Sequence, residues 1–305
     1  MGVTNRCPVT VVVLTFNEER NLRQLLQSIS GWAQAIFVVD SGSADRTLAI
    51  AAEFDALVVN HPFETHARQW RWALDHLPIE TEWILALDAD QRLTPELQAA
   101  ITTALESPSD TAGFFLARRQ IFRGRWIRHG GYYPKYLLKL FRRDRVSIDE
   151  RDLVDHHFTV DGPLATLGGD LIEDNQNEAS IFDWTTKHNR YAVLQARHEL
   201  SGAAAHVPFA SLFQSPDARV AWLKQLWRRL PLFVRPSLYV WYRYVLRLGF
   251  LDGKQGFIFH VLQGFWYRLL VDINIDEIRA AAPVREASAP AVLPANGAES
   301  EVRRV

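Results

Sequence analysis

Residues 9–29, VTVVVLTFNEERNLRQLLQSI, hold two periodicities in succession. Val9 to Phe16 is an unbroken apolar run rich in β-branched residues, the pattern of a strand covered on both faces. Beyond Glu19 the apolar spacing changes, and Leu22, Leu25, Leu26 and Ile29 fall on one face of a helix. The same change recurs downstream. Apolar runs stand at AIFVVD (35–40), ALVVN (56–60) and EWILALD (82–88). Between and after them, ADRTLAIAAEF, THARQWRWALDHL and LTPELQAAI carry helical spacing, the last with Thr94 as N-cap and Pro95 at the first helical position. Such alternation predicts an α/β domain on a mostly parallel sheet flanked by helices. Ligands of these sheets bind at the carboxyl ends of the strands, where Asn17, Asp40 and Asp88 fall.

The pattern shifts at about residue 113. The stretch GFFLARRQIFRGRWIRHGGYYPKYLLKLFRRDRVSI reads as strands and loops; from Arg118 to Arg145 it holds ten Lys or Arg against one acid, Asp144. From Ser180 the reading becomes helical, through SIFDWTTKHNRYAVLQARHEL, the Trp- and Arg-rich segment 219–247, and 254–279. The expected division is 1–115 as an α/β half with the strand-end ligand site, 116–180 as the rest of the same domain, 181–279 as a helical extension, and 280–305 as a disordered Ala-, Pro- and Ser-rich tail.

Composition narrows the function. The 305 residues are 48% hydrophobic and 23% charged, as in ordinary globular proteins. A net charge of −1 argues against general nucleic-acid binding. Cys7 is the one cysteine, so no intrachain disulfide or cysteine zinc site can form, which suits a reducing cytoplasm. No signal peptide is expected from the N-terminal residues, and no apolar window is long enough for a membrane-spanning helix.

In EWILALDAD, residues 82–90, Asp88 and Asp90 follow a buried-strand pattern. On an extended backbone, positions i and i+2 project to one side. Mg2+ or Mn2+ is commonly held by one or two carboxylates, waters and substrate phosphates, so this spacing fits a metal–diphosphate clamp. VVDSGSADRT (38–47) ends its strand on Asp40, placed to accept the ring N–H of a nucleotide base, while Ser43 and Asp45 read as helix caps. TFNEE (15–19) ends the first strand in the same polar way.

Together, VVVLTFNEERNLRQLLQSI, AIFVVDSGSADRT and EWILALDAD resemble the family 2 glycosyltransferases, and more narrowly the bacterial enzymes that extend lipopolysaccharide core or exopolysaccharide. YYPKYLLKLFRR, KHNRYA and GFLDGKQGFIFHVLQGFWYRLLVD resemble that bacterial group too. The resemblance implies a GT-A fold and a nucleotide-diphosphate sugar donor, with UDP favoured. It also implies Mg2+ or Mn2+, and a saccharide or lipid-linked acceptor. Carried over, Thr15, Asn17, Glu18 and Asp40 contact the nucleotide, Asp88 the ribose or diphosphate, and Asp90 the metal. Arg68, in HARQW, is a candidate for the diphosphate, against a solvated helix face as the commoner fate of such an Arg. For the base of inverting transfer, many relatives have a His-Glu pair before a Val-rich strand. Here LVDHHFTVDG (153–162) stands there, so Asp155 takes the position, with Glu150 and Asp174 as competitors.

Between Arg219 and Arg247 lie seven basic residues and no acid, interleaved with Trp and Tyr. Two readings stand open for this segment: the interface of an anionic membrane at the inner face of the cytoplasmic membrane, or a helical layer packed on the domain. Two other functions compete with glycosyl transfer. A sugar-phosphate nucleotidyltransferase calls for a Gly- and Arg-rich N-terminal loop, and LTFNEERN has no Gly. A non-catalytic nucleotide-binding adaptor leaves Asp88 and Asp90 without chemistry.

Overall fold

In the computed structural model of the chain, residues 6–148, 158–201 and 216–287 are described, the side chains of 216–221, 224 and 282–287 excepted. The first half alternates as its periodicity predicts. It runs β1 (Cys7–Thr15), α1 (Leu22–Ile29), β2 (Ala33–Asp40), α2 (Thr47–Glu53), β3 (Leu57–Asn60), α3 (His66–His76) and β4 (Trp83–Asp88). Strands then dominate: β5 (Gln91–Leu93), α4 (Pro95–Glu106), β6 (Gly113–Phe122), β7 (Arg125–Trp126), β8 (Lys135–Arg142), β9 (Val146–Ile148), β10 (Phe158–Val160) and β11 (Leu164–Glu173). Helices close the chain: α5 (Ile181–Leu200), α6 (Pro216–Arg229), α7 (Arg235–Trp241), α8 (Gly253–Phe259) and α9 (Tyr267–Ala287). The last runs past residue 280, where a disordered tail was expected to begin; residues 288–305 lie outside the described set.

One sheet takes all strands but β9 and β10, in the order β3-β2-β1-β4-β8-β6-β11-β5, with β7 beside β6. β3, β2, β1 and β4 are parallel, as are β6 and β11, while β8 runs antiparallel between β4 and β6. Alternation along the strands builds a core on each face. Val9, Val11 and Val13 of β1 join Leu85 and Leu87 of β4 beneath α1 and α4. Val12, Ile84 and Ala86 turn the other way, to Trp70 and Ala73 of α3. Thr94 caps α4 by accepting the Leu97 N–H, with Pro95 beginning the helix. Gly169 of β11, at φ +83°, lets that helix start lie close; a Cβ there would come within 2.4 Å of the Leu97 nitrogen.

Ala89 and Asp90 alone separate β4 from β5, yet the two strands lie at distant places in the sheet order. The sheet therefore curls until the end of β11 reaches the end of β4. The Asp174 N–H donates to the Asp90 carbonyl at 3.0 Å, and Glu173 pairs in register with Gln91.

The helical layer has its own core, with Ala192 and Ala196 of α5 against Tyr267, Val271 and Ile275 of α9. It joins the sheet through Phe122, Ile127, Trp184 and Phe259. His129 adds a polar hook: its backbone N–H and Nδ1 lie 2.9 and 2.7 Å from the two oxygens of buried Asp252.

Candidate active site

Register brings the polar strand ends together. Thr15 pairs with Asp40, and Leu14 with Asp88, so the ends of β1, β2 and β4 share one edge. Asp40 is fully buried and both its oxygens are occupied. Oδ1 accepts from Thr15 Oγ1 (2.9 Å) and Ser43 Oγ (2.5 Å), and Oδ2 from the N–H groups of Gly42 and Ser43 (2.9 and 2.8 Å). Here Asp40 shapes the loop that follows β2; meeting a base N–H would require it to give up one of these donors.

Ser43 and Asp45, expected as helix caps, are shared between two loops. Ser43 Oγ accepts the Asn17 N–H at 2.8 Å. Asp45 takes the N–H of Thr47, which opens α2, and also that of Glu19. Asn17, at φ +55°, returns a bond by accepting the Ala44 N–H at 2.9 Å. The β1–α1 and β2–α2 loops are thus one bonded unit.

Glu18 points into the site. Its Oε2 accepts from Asn21 Nδ2 (2.7 Å) and Asn177 Nδ2 (3.1 Å), and burial raises its pKa above the usual carboxyl value. Asn177 also reaches the Asn17 carbonyl, and the Gln176 N–H donates to Asn21 Oδ1 at 2.7 Å. The 3₁₀ turn Gln176–Glu178 after β11 therefore straps the β1–α1 loop.

Asp90 lies in the turn after β4. Burial first, then the negative charges of Glu173, Asp88 and Glu18, push its carboxyl well above the usual range. Among the described residues no hydrogen bond or ion pair reaches its side chain. Asp88 is half-exposed and salt-bridged, its Oδ2 accepting from Lys139 Nζ at 2.9 Å. Glu173 is held by Arg118 at 2.9 Å and Gln91 at 3.0 Å, and Gln91 in turn accepts the Asp88 N–H. Lys187 of α5 approaches from above, salt-bridged to Glu178 at 2.5 Å. Burial works against its charge, yet the Glu178 carboxylate carries its pKa above the ordinary lysine value, and its field also reaches Asp90 and Glu18.

This set suits a hard divalent cation. The Asp90 carboxylate has no direct cationic partner among the described residues and three acidic neighbours, and its oxygens are of the kind that Mg2+ or Mn2+ takes as ligands. No group of three or more His, Cys, Asp or Glu side chains forms a closed cage among the described residues.

Arg68 sits on an exposed part of α3, salt-bridged to Glu64. Asp155 and Glu150 lie outside the described residues. Asp174 accepts from Gln176 Nε2 at 2.9 Å and lies 3.4 Å from Arg92. It lines a cavity of about 240 Å³ with Gln120, Arg123, Gln176 and Trp184. The sequence reading did not single out Glu173, Lys139 or Lys187. Lys139 had one signal, a lone cation in the apolar stretch of YYPKYLLKLFRR; Glu173 stands directly before the Asp174 already under consideration.

Residues 10–160 match the family described as Glycosyl transferase family 2. The lipopolysaccharide core biosynthesis glycosyltransferase LpsC of Rhizobium meliloti is 25% identical over 236 residues, covering 73% of this chain and 84% of the relative. An uncharacterized glycosyltransferase of Rickettsia bellii is 33% identical over 93 residues, and the chain spans 31% of its length. Among solved structures, glucosyl-3-phosphoglycerate synthase from Mycobacterium tuberculosis, in complex with Mn2+, uridine diphosphate and phosphoglyceric acid, aligns at a TM-score of 0.40. The identity is 16%, over 63% of this chain and 78% of the other.

Proposed function

We propose that the chain, which belongs to glycosyl transferase family 2 through residues 10–160, moves a sugar with inversion from a nucleotide-diphosphate donor to a saccharide or lipid-linked acceptor. The acceptor belongs to cell-envelope polysaccharide, lipopolysaccharide core or exopolysaccharide, and is met at the inner face of the cytoplasmic membrane. Similarity to LpsC over most of both chains supports that acceptor class. One observation carries the chemistry: Asp90 stands unpaired among Asp88, Glu18 and Glu173 at the carboxyl ends of the strands.

The parts divide as follows. Asp88 and Asp90 would hold one Mg2+ or Mn2+, which would supply charge neutralisation for a leaving diphosphate. Thr15, Asn17 and Glu18 line the nucleotide side, and Asp40 keeps their loop in shape from beneath. Lys187 supplies a fixed positive charge beside the same carboxylates, suited to an anionic leaving group. Transfer also needs a carboxylate to take the proton of the acceptor hydroxyl. Asp155 is our assignment for it, with Glu150 and Asp174 as the residues to compare. Arg68, already paired with Glu64, is a weaker donor contact.

Release of UDP from a panel of UDP-sugars, with and without Mn2+, tests the reading. Asp90→Ala is expected to abolish release; full activity in that variant would overturn the metal assignment. Asp155→Asn, Glu150→Gln and Asp174→Asn, assayed for transfer and for donor binding, identify the base as the variant that keeps binding and loses transfer.

A further inference from the structure

The helical layer ends in an apolar face that is left exposed among the described residues. Val234, Leu238, Trp241 and Val245 follow one another at spacings of four, three and four, a single stripe from the N-cap of α7 into the π-helical turn Tyr242–Leu246 that continues it. All four are exposed, Trp241 at 54%. The connection to α8 continues the surface with Leu246 (55%), Leu248 and Leu251 (49%). Thirteen of the 21 large hydrophobic side chains exposed among the described residues fall between Leu223 and Phe257. Scattered apolar exposure is ordinary, but a contiguous patch of this kind marks a contact surface.

Charge selects the partner. From Ala218 to Leu251 there is no acid, and the next, Asp252, is buried beneath His129. Arg229, Arg247 and Lys254 are exposed beside the apolar stripe. A second copy docking through the same face would set these cations against their own images, which is unfavourable in a two-fold contact. An anionic bilayer satisfies both components: headgroup phosphates pair with Arg and Lys, acyl chains accept the aliphatic side chains, and Trp241 and Tyr242 suit the boundary between them. Among the described residues no helix is long and apolar enough to cross a membrane, so the contact lies in the plane of the surface.

We propose that residues 234–257 form a membrane-inserting face for anionic lipid, with Trp241, Leu246 and Leu251 at its apolar centre and Arg229, Arg247 and Lys254 on headgroups. This rests on the reading of the chain as a transferase for a lipid-linked acceptor and says how it meets that acceptor. The face is fixed to the sheet. The Gly130 N–H donates to the Arg247 carbonyl at 2.8 Å, Arg243 Nη1 donates to the Gly130 carbonyl at 2.6 Å, and His129 holds Asp252. Gly130 and its neighbours lead directly into β8, which carries Lys139 to Asp88. Insertion therefore sets the height and tilt of the carboxylate edge above the bilayer.

Flotation of the full chain with vesicles is the test. The wild type is expected to float with vesicles of phosphatidylglycerol and phosphatidylcholine, and much less with phosphatidylcholine alone. Trp241→Ser combined with Leu246→Ser and Leu251→Ser should lower the partition coefficient onto the vesicles by about a thousandfold, since each large apolar side chain held out of water counts for about tenfold. Arg229→Glu with Lys254→Glu should erase the preference for phosphatidylglycerol. Equal flotation of the triple variant and wild type would overturn the proposal, as would wild type that stays with neither vesicle. So would a concentration-dependent doubling of mass that the triple variant loses, which would assign the face to a second copy. UDP release measured without vesicles reports on the catalytic reading separately, and both variants should retain it. Loss of UDP release from a wild type that still floats would remove that reading and leave the membrane face standing.

Discussion

Lys139 Nζ sits 2.9 Å from Asp88 Oδ2, a nearly buried ammonium from β8 against a half-exposed carboxylate at the end of β4. The pair places a positive charge directly against one of the edge's carboxylates. Replacing Lys139 with Met keeps the buried stem and removes the charge. The edge becomes more negative, so Mn2+ should bind the donor-free protein about three- to tenfold more tightly, the scale of one charge acting across several ångströms of partly screened space. Titration of Mn2+ by calorimetry measures this. A weaker affinity would mean that Lys139 holds Asp88 in a ligating position and does not compete with the metal.

Asp40 offers a test of stability and of donor use in one side chain. Its carboxylate accepts four hydrogen bonds in a fully buried position. Asp40→Asn keeps one acceptor oxygen and removes the charge that strengthens all four bonds, and its amide NH2 must donate to the Thr15 and Ser43 hydroxyls in place of accepting from them, at a cost of about 2 kcal/mol. Chemical denaturation should show that loss. The Michaelis constant for the donor should rise as the loop carrying Asn17 and Ser43 loosens. Unchanged stability with lost donor binding would instead mark Asp40 as a direct ligand.

The helical layer depends on a buried charge cluster. Arg235 is 1% exposed and pairs with Asp272 at 2.5 Å and Glu199 at 3.0 Å, joining α7 to α9 and α5. Burial opposes its charge, but the two carboxylates outweigh that and raise its pKa further. Arg235→Met would leave two buried acids uncompensated and should destabilise the chain by about 3–5 kcal/mol. Arg235→Met combined with Asp272→Asn should recover part of this. Denaturant unfolding of the two variants makes the comparison.

His260 gives the layer a dependence on acid. It is fully buried, with neither ring nitrogen hydrogen-bonded, packed against Gly130, Gly249, Tyr132 and Tyr244. Burial, and then Arg243, lower its pKa from 6.5 to about 4, with Asp252 opposing. The unfolded chain therefore binds the proton first as pH falls. Stability should be full above pH 6.5 and decline toward pH 4 by up to about 3 kcal/mol. His260→Gln should flatten that decline, as read by thermal unfolding across the same range. An equally steep decline in the variant would place the titrating group elsewhere.

The parallel half of the fold was legible because each element carries its own pattern. β1, α1, β2 and β4 are long enough to show a period, and Thr94 with Pro95 announces a helix start. β5 was not legible: three residues hold no periodicity, and its pairing with β11 depends on residues some eighty positions away. The same distance hides half of the candidate site. Asp88 and Asp90 advertise themselves in one short phrase of sequence, while Glu173, Lys139 and Lys187 join them only through the curl of the sheet and the docking of α5. Ser43 and Asp45 illustrate a different limit. Their residue types suit helix caps, and only the meeting of two loops reveals that they bridge them.

The link made by Ala89 and Asp90 is also a seam. Two residues cross from an interior strand, β4, to the edge strand, β5, so they govern curvature as well as charge. Lengthening this link by a single residue would slacken the whole bend and draw β11 away from β4. For anyone grafting a new specificity onto this scaffold, the seam is the part to leave uncut.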